Sequence, residues 1–339
     1  MAADRAAAGT ARTIDVHAHL LIPAVESLVA GRPGFAEAKA LDALRNGPEA
    51  LAVNGPMVAG RIALLTDVAQ RLTVMDKQGI DLQLVSPSPS HYHPWADPET
   101  ARAVWREANL ATAAHCAQGA GRLRGLGLVP LQHPGQLVEA LDHALSLGLL
   151  GVEIPSHASG RELSDPAYEP FWARATQTGA LLFLHPFGCT LDERLNRWYL
   201  SNSVGQPTEN AVALSHLIFS GVLDRHPGLR IIAAHGGGYL PTHLGRADHA
   251  WRTRPDARGC LREPSSYLRR LYFDSLVHDS AVLWSLVRVA GADRVLLGSD
   301  FPFDMGSEDP LGDLRAAGLP PSAYDAIAGA NAAALLDLR

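Results

Sequence analysis

Lysine, cysteine and long apolar runs are scarce in this sequence of 339 residues. Only Lys39 and Lys77 are lysines and the net charge is -6, so no basic run suits a nucleic-acid backbone. The cysteines, Cys116, Cys189 and Cys260, are odd in number and form no Cys-x-x-Cys pair. Such usage favours a reducing compartment over a disulfide framework. We therefore expect a cytoplasmic protein without a nucleic-acid partner.

Four further features are missing. No stretch is apolar over the roughly 18 residues that a membrane span needs, and residues 1–12 lack the apolar segment of a signal peptide. No Gly-x-Gly-x-x-Gly follows the first predicted strand, which argues against an open dinucleotide-binding sheet. No Gly-x-Ser-x-Gly is present to supply the nucleophile of a serine esterase. We expect no membrane contact and neither of those two activities.

Short apolar segments alternate with longer segments of helical periodicity along the whole chain. Strand, helix and strand in repetition predict a parallel sheet with helices outside it. We predict an α/β fold, a (β/α)8 TIM barrel forming a single domain over residues 1–339. The predicted strands are residues 13–16, 82–85, 125–129, 151–154, 181–184, 230–234, 271–273 and 295–297. The predicted helices are residues 66–78, 98–118, 135–147, 170–178, 208–225 and 280–290.

Two connections are longer than a plain strand-to-helix loop. They are residues 20–61, rich in glycine, proline and alanine, and residues 187–207. Both follow strands, so they lie at the carboxyl end of the barrel, where barrel enzymes carry their chemistry. We predict that they are insertions over the active-site face.

Metal-binding side chains stand at the ends of several predicted strands. His17 and His19 are two apart on the first strand and therefore point to the same face. Alone, this pair could also be a solvated strand end. His185 follows the fifth strand and Asp300 the eighth, where one could be a core histidine and the other a helix cap. Together the four residues predict a site for zinc or another divalent ion.

A further histidine, His235, follows the sixth strand and precedes three glycines. Near a metal, a neutral imidazole can move a proton to or from substrate or bound water. The alternative is that His235 is another metal ligand. The sequence gives little ground for choosing between an acid–base role and a ligand role. We interpret His235 as the acid–base residue.

These motifs resemble the amidohydrolase superfamily, and within it the branch typified by 2-amino-3-carboxymuconate-6-semialdehyde decarboxylase. The resemblance covers nearly the whole chain and implies His17, His19, His185 and Asp300 as metal ligands and His235 as the catalytic histidine. The matching stretches are residues 14–19, 126–130, 183–187, 234–238 continuing to Pro241 and Gly245-Arg246, 276–279 and 297–303.

The same resemblance implies roles for two arginines. It implies that Arg246 reaches into the neighbouring subunit of a homodimer to hold a substrate carboxylate, and that Arg61 does so within its own subunit. The match of Arg61 requires a small gap. For either arginine, a surface salt bridge is the ordinary alternative.

The resemblance also bears on the number of metal ions. Two-metal members of the superfamily bridge their ions with a carboxylated lysine after the fourth strand, but residues 151–157 contain no lysine. We therefore predict one divalent ion, zinc first and manganese second, with Glu153 or His157 at most lining the pocket.

Other pocket residues are weaker predictions. Asn202 occupies a position where the muconate enzyme has a tryptophan, and His278 ends the seventh strand. We predict that Asn202, His278 and His157 contact substrate. Cys189 could contact substrate, but we interpret it as a bystander thiol. The loop residues His91, Tyr92, His93 and Trp95 could line the pocket, but we interpret them as loop decoration.

The resulting function is non-oxidative decarboxylation of an aromatic or unsaturated, muconate-like carboxylate by a metal-dependent carboxy-lyase. The alternative within enzymes is a hydrolase or hydratase of a lactone, amide or enol diacid, because metal-bound water serves both reactions. A catalytically silent binding protein that kept the fold is the third possibility. Metal binding and the release of carbon dioxide distinguish the three.

Overall fold

Eight parallel strands close into a barrel in the computed structural model, which describes residues 13–187 and 191–338. The predicted TIM barrel is confirmed, and the strands predicted at residues 151–154 and 181–184 have those bounds. The third strand has two parts, of which the first pairs with the second strand of the barrel and the second pairs with the fourth. Strands β1 to β8 are Ile14–Leu20, Leu82–Pro87, Leu123–Gly125 with Gly127–Leu128, Gly151–Ile154, Leu181–Leu184, Arg230–Ala233, Tyr272–Asp274 and Val295–Leu296.

The barrel closes between β1 and the chain that follows β8. The Val16 N–H donates to the Leu297 carbonyl at 2.9 Å, and the His19 N–H donates to the Phe301 carbonyl at 2.8 Å. These bonds place residues 297–301 beside the carboxyl half of β1. The first and last strands therefore bring their terminal side chains to one point.

Helices surround the barrel in the alternating order that the sequence predicts. The predicted helix 280–290 has those bounds, whereas the predicted helix 66–78 begins two residues later because Asp67 caps it through the N–H groups of Ala69 and Gln70. Helices α1 to α13 are Pro23–Val29, Phe35–Thr66, Val68–Gln78, Pro98–Ala117, Leu137–Ser146, Glu169–Thr178, Gln206–Phe219, Val222–Arg225, Leu240–Thr253, Ser280–Ala290, Pro310–Ala316, Pro321–Asp325 and Asn331–Leu335.

The segment 20–61 is mostly helical, although its glycines and prolines predict an irregular connection. Helix α2 breaks at Gly47, whose φ is 78°, and resumes with Pro48. Proline fits the first turn of a helix because its missing N–H would have no partner there. The break therefore lets two helical halves form on either side of a residue that favours left-handed backbone.

Apolar side chains fill two layers. Inside the barrel, Ile14, Val16, Leu84, Phe183 and Ile232 form one buried cluster, while the residues between strands and outer helices form a second and larger one. Alternate strand residues serve the two layers because successive side chains point to opposite faces. Over the part of the chain that the structure describes, no helix has the length and apolar character that crossing a membrane requires.

Candidate active site

The four predicted metal ligands meet at the carboxyl end of the barrel. The His17 Nε2 atom lies 3.1 Å from His19 Nε2, and Asp300 Oδ1 lies 3.4 Å and 3.2 Å from those two atoms. One ligand atom from each of these residues and one from His185 all lie within 4.8 Å of one another. All four side chains are buried, and both ring nitrogens of His185 lack a hydrogen-bond partner among the described residues. The donor set and the unpartnered imidazole fit one divalent ion.

Two neighbours fix the orientation of the β1 histidines. His17 Nδ1 lies 2.7 Å from Asp274 Oδ2, and His19 Nδ1 lies 3.2 Å from the Ser86 hydroxyl oxygen. The Asp274 carboxylate, which only accepts, keeps the ring proton of His17 on Nδ1 and leaves its Nε2 lone pair free for an ion. The Ser86 hydroxyl can accept the corresponding proton of His19. Asp274 is not among the site residues predicted from the sequence, although it directly follows the predicted strand 271–273.

His235 stands beside this quartet. Its Nε2 atom lies 3.6 Å from Asp300 Oδ2, and its ring centroid is 4.9 Å from that of His185. The His235 side chain is 18% exposed, whereas the side chains of His17 and His19 are fully buried. A histidine that touches both the quartet and the cavity can exchange a proton with a bound molecule.

The backbone holds His235 in place through the same aspartate. The N–H groups of His235 and Gly236 donate to the two oxygens of Asp274 at 2.9 Å and 2.8 Å. His235 has a φ of 54°, a left-handed conformation that is uncommon for residues other than glycine. Asp274 thus orients one metal ligand and the backbone of the acid–base candidate together.

A buried polar network lies beneath the quartet. Asp15 accepts hydrogen bonds from the Ser299 hydroxyl at 2.6 Å and from the Gln83 amide at 2.9 Å. Gln83 in turn accepts from the Arg71 guanidinium at 2.7 Å, and Arg71 also donates to the His19 carbonyl. Gln83 therefore links a buried cation to a buried anion, which partners both charges without direct contact. The network ties the backbone of β1 to the chain that carries Asp300.

Glu153 is fully buried at the end of β4 rather than exposed to the cavity. The Tyr92 hydroxyl donates to it and also lies 3.0 Å from the His185 carbonyl oxygen. Burial raises the pKa of Glu153 to about 7. Tyr92, which the sequence analysis treated as loop decoration, is therefore part of the support of the site.

A cavity of about 520 Å³ opens above the quartet. His185, His235 and Asp300 form part of its floor. Both predicted insertions contribute to its walls, 20–61 through α1 and α2 and 187–207 through residues 199–206. The polar wall residues are Glu26, Lys39, Asp42, Arg45, Asn46, Asn54, Ser88, Ser90, Tyr199, Ser201, Asn202, Gln206 and Asp304.

The predicted substrate residues have different positions. Asn202 lines this cavity, and His278 lines an adjoining one of about 400 Å³ that shares Asn202, His235 and Asp300. His157 is half-buried, with Nε2 at 3.3 Å from Glu209 Oε2, and lies outside the residues that line either cavity. Cys189 lies outside the described residues.

The two predicted arginines are not part of the cavity walls either. Arg61 lies on α2, on the face that carries the lining residues Asn54 and Val58, but is not itself a lining residue. Arg246 is exposed on α9. The arginine that does line the main cavity is Arg45, which no sequence motif distinguished.

The sequence and the structure both resemble known proteins. Residues 14–338 match the amidohydrolase family. A 2-amino-3-carboxymuconate-6-semialdehyde decarboxylase from Dictyostelium discoideum is 33% identical over 243 residues, which cover 71% of this chain and 68% of that protein.

Solved structures with the same architecture add to this finding. The 5-carboxyvanillate decarboxylase of Sphingomonas paucimobilis has a TM-score of 0.82 at 26% identity, covering 97% of this chain and 100% of that chain. A dihydroxybenzoic acid decarboxylase from a Polaromonas species, with bound manganese and 2-nitroresorcinol, has a TM-score of 0.80 at 24% identity, covering 97% and 98%.

Proposed function

Because this chain belongs to the amidohydrolase family, in the branch of the 2-amino-3-carboxymuconate-6-semialdehyde decarboxylases, we propose that it is a metal-dependent, non-oxidative decarboxylase. The substrate is an aromatic or unsaturated carboxylate. The observation that carries this proposal is the position of His235, which touches both the metal quartet and the open cavity. A proton donor is needed there because loss of carbon dioxide leaves a carbon that must be protonated.

The proposed metal site consists of His17, His19, His185 and Asp300. A divalent ion bound there would act as a Lewis acid toward the oxygens of the substrate. Three imidazoles and a carboxylate suit zinc, and manganese is the alternative because the related Polaromonas enzyme holds it. We propose one ion per chain, and metal analysis of the purified protein tests both its number and its identity.

The proposed reaction exchanges a carbon–carbon bond for a carbon–hydrogen bond. The imidazolium form of His235 gives its proton to the ring or alkene carbon that carries the carboxylate. The bond to that carboxylate then breaks, its electrons restore the double bond of the ring or alkene, and carbon dioxide departs. Asp274 keeps the His235 backbone fixed while the proton moves. A proton from solvent restores the imidazolium form of His235 afterwards, so each turnover consumes one proton and releases one carbon dioxide.

Replacement of His235 tests the assignment. We expect His235→Asn to lower kcat by at least about 100-fold, a typical contribution of general acid catalysis, while metal content stays near one equivalent. His226→Asn is the matched control, because His226 lies near the amino end of β6 and its Nε2 contacts Glu169 at 3.0 Å. Retained activity in His235→Asn would refute the role of this residue.

The choice of substrates decides between reaction classes. Muconic, hydroxybenzoic and vanillic carboxylates are offered to the metal-loaded protein while carbon dioxide and products are measured. Carbon dioxide with a product one carbon shorter supports the decarboxylase. Uptake of water without loss of carbon would instead assign a hydrolase or hydratase.

We also propose a homodimer in which Arg246 enters the partner's site. Thr242 lines the cavity that contains His278, and Arg246 lies one turn further along the same face of α9. Its guanidinium is exposed and available to a carboxylate across an interface. Inactive Arg246→Ala and inactive His235→Asn chains, mixed to allow exchange, should regain activity because one site per mixed dimer has both residues.

Arg61, His157, Asn202 and His278 remain proposed contacts of the substrate. Asn202 and His278 already line the two joined cavities, whereas Arg61 and His157 would have to change side-chain conformation to reach them. An increase in KM in single alanine variants, with kcat retained, would support each contact. The cytoplasmic location stays a prediction from the composition.

A further inference from the structure

A second group of ionisable side chains lies on the wall of the main cavity, apart from the metal quartet. It consists of Glu26 on α1 and His91 and His93 after β2, whose ligand atoms lie within 4.8 Å of one another. Glu26 lines the cavity and keeps 38% of its side-chain exposure, whereas His91 has none. The cavity therefore meets this cluster at the Glu26 carboxylate.

His91 accepts a hydrogen bond at one ring nitrogen and approaches Glu26 with the other. Its Nε2 atom accepts the Ile22 N–H at 3.0 Å, and its Nδ1 atom lies 3.2 Å from Glu26 Oε1. An acceptor at Nε2 requires the ring proton to be on Nδ1, where it faces Glu26. Ile22 precedes the first turn of α1 and Glu26 lies within that helix, so one buried imidazole holds both.

The tautomer of His91 argues against a second metal ion in this cluster. A metal on Nδ1 would leave a neutral imidazole with no lone pair for the Ile22 N–H, which is buried and needs an acceptor. His93 has no such commitment, because its buried Nε2 atom has no hydrogen-bond partner among the described residues. Burial lowers the pKa of His93 to about 4, so it stays neutral beside the carboxylate.

Glu26 itself is ionised. The neighbouring His91 lowers the pKa of its carboxyl group, and Lys39, which lines the same wall, acts in the same direction. An ionised carboxylate only accepts hydrogen bonds and repels other anions. The substrate group that faces it must therefore be a hydrogen-bond donor.

We propose that Glu26, held by His91, determines specificity by accepting a hydrogen bond from a hydroxyl or amino substituent of the substrate. This inference rests on the proposed use of the cavity for a carboxylate substrate. The carboxylate that leaves as carbon dioxide would then lie at the metal-quartet end of the cavity. A neutral hydrogen-bond donor of the substrate would face the wall formed by α1. His91 is a positioning residue, because its own side chain is excluded from the cavity.

Matched pairs of ligands test the proposal. Hydroxybenzoates and aminobenzoates with the substituent at each ring position are compared with their O-methyl or N,N-dimethyl partners, by calorimetric binding to the metal-loaded protein and by kcat/KM. For one position, we expect the donor-bearing ligand to be preferred by about 10- to 100-fold, the range for a hydrogen bond to a charged group. Glu26→Gln should reduce that ratio to within about threefold.

Two further variants separate specificity from damage to the fold. His91→Phe should reduce the ratio in part, because Glu26 loses its positioning contact. Glu37→Gln is the matched control, because Glu37 is exposed on α2 and does not line the cavity. We expect it to keep the ratio of the native protein.

Three results would overturn the proposal. The first is an unchanged ratio in Glu26→Gln, and the second is the absence of millimolar binding by every donor-bearing ligand. The third is a second tightly bound metal ion that Glu26→Gln loses, which would assign a metal site instead. If the protein binds the donor-bearing ligands preferentially but releases no carbon dioxide from any of them, the proposed decarboxylation is refuted and the role of Glu26 is retained.

Discussion

Replacing Asp274 by asparagine tests how the barrel prepares its metal site. All four lone-pair directions of this carboxylate are used, two by His17 Nδ1 and the His235 N–H and two by the N–H groups of Gly236 and Leu276 at 2.8 Å and 3.2 Å. An amide keeps one oxygen. Whichever way it turns, its NH2 group faces two donors.

The two orientations of the amide predict losses of different kinds. With the oxygen toward His17, the ligand keeps its tautomer but loses a charged partner, which typically costs 10- to 100-fold in metal affinity. Two buried backbone N–H groups then lack acceptors, at about 1 to 3 kcal/mol each. With the NH2 toward His17, the ring proton moves to Nε2 and the metal-facing lone pair is lost. We expect at least about 10-fold weaker metal binding in either case.

Competition with a chromogenic chelator measures this affinity, and thermal unfolding with and without metal measures stability. Asp81→Asn is the matched control, because among the described residues Asp81 accepts hydrogen bonds only at Oδ2, from the N–H and the hydroxyl of Thr13 at 2.8 Å and 3.0 Å. Its amide can present one oxygen to both donors. Metal affinity of Asp274→Asn within twofold of the native protein would refute the assigned role of Asp274.

Three other predictions concern stability. Burial lowers the pKa of His93 to about 4, so its imidazole stays neutral in the folded protein, whereas in the unfolded chain it takes up a proton near pH 6.5. The free energy of unfolding should therefore decrease as pH falls from 6.5 toward 4. Denaturant titrations at pH 7 and pH 5 measure this loss. Between these two pH values, the free energy of unfolding of His93→Phe should fall by about 2 kcal/mol less than that of the native protein, and an equal fall would contradict the prediction. Gly238→Ala should lower the free energy of unfolding by about 3 kcal/mol or more, because φ of Gly238 is 63° and the new Cβ would lie 2.1 Å from the Pro207 carbonyl oxygen. Gly135→Ala is the control, because there is open space around Gly135. Similar melting temperatures for the two variants would refute this explanation. Removing metal with a chelator should lower the melting temperature, because an ion at 1,000 times its Kd adds about 4 kcal/mol, and identical melting curves would speak against the proposed site.

The strand-end rule explains which parts of the site could be predicted. His19 lies near the carboxyl end of β1, while His185 and Asp300 follow β5 and β8, so their convergence in the barrel follows from the order of strands. The same rule applied to the seventh strand would have identified Asp274. Glu26 and His91 could not be found this way, because helix α1 and the loop after β2 are brought together by the barrel rather than by any periodic pattern.

Helix α2 shows why the connection 20–61 was harder to predict than the barrel. Its prolines, Pro48 and Pro56, and its glycines suggest a loop when each is interpreted locally. In the structure the helix is interrupted at Gly47. The second helical half begins at Pro48 and continues through Pro56 to Thr66. The packing of this helix over the cavity, rather than its local propensity, decides the outcome.

The structure assigns rigidity and variation to different parts of the molecule. The metal-facing residues are held from below by Asp15, Gln83 and Asp274, which are fully buried and belong to the barrel strands themselves. Much of the cavity wall comes from α1, α2 and residues 199–206, whose side chains can change without disturbing that buried network. A change of substrate therefore requires no change in the strand ends, and exchange of Glu26 or Arg45 should alter which carboxylate is bound before it alters metal affinity. A variant of either residue that loses metal but keeps its ligand preference would contradict this division.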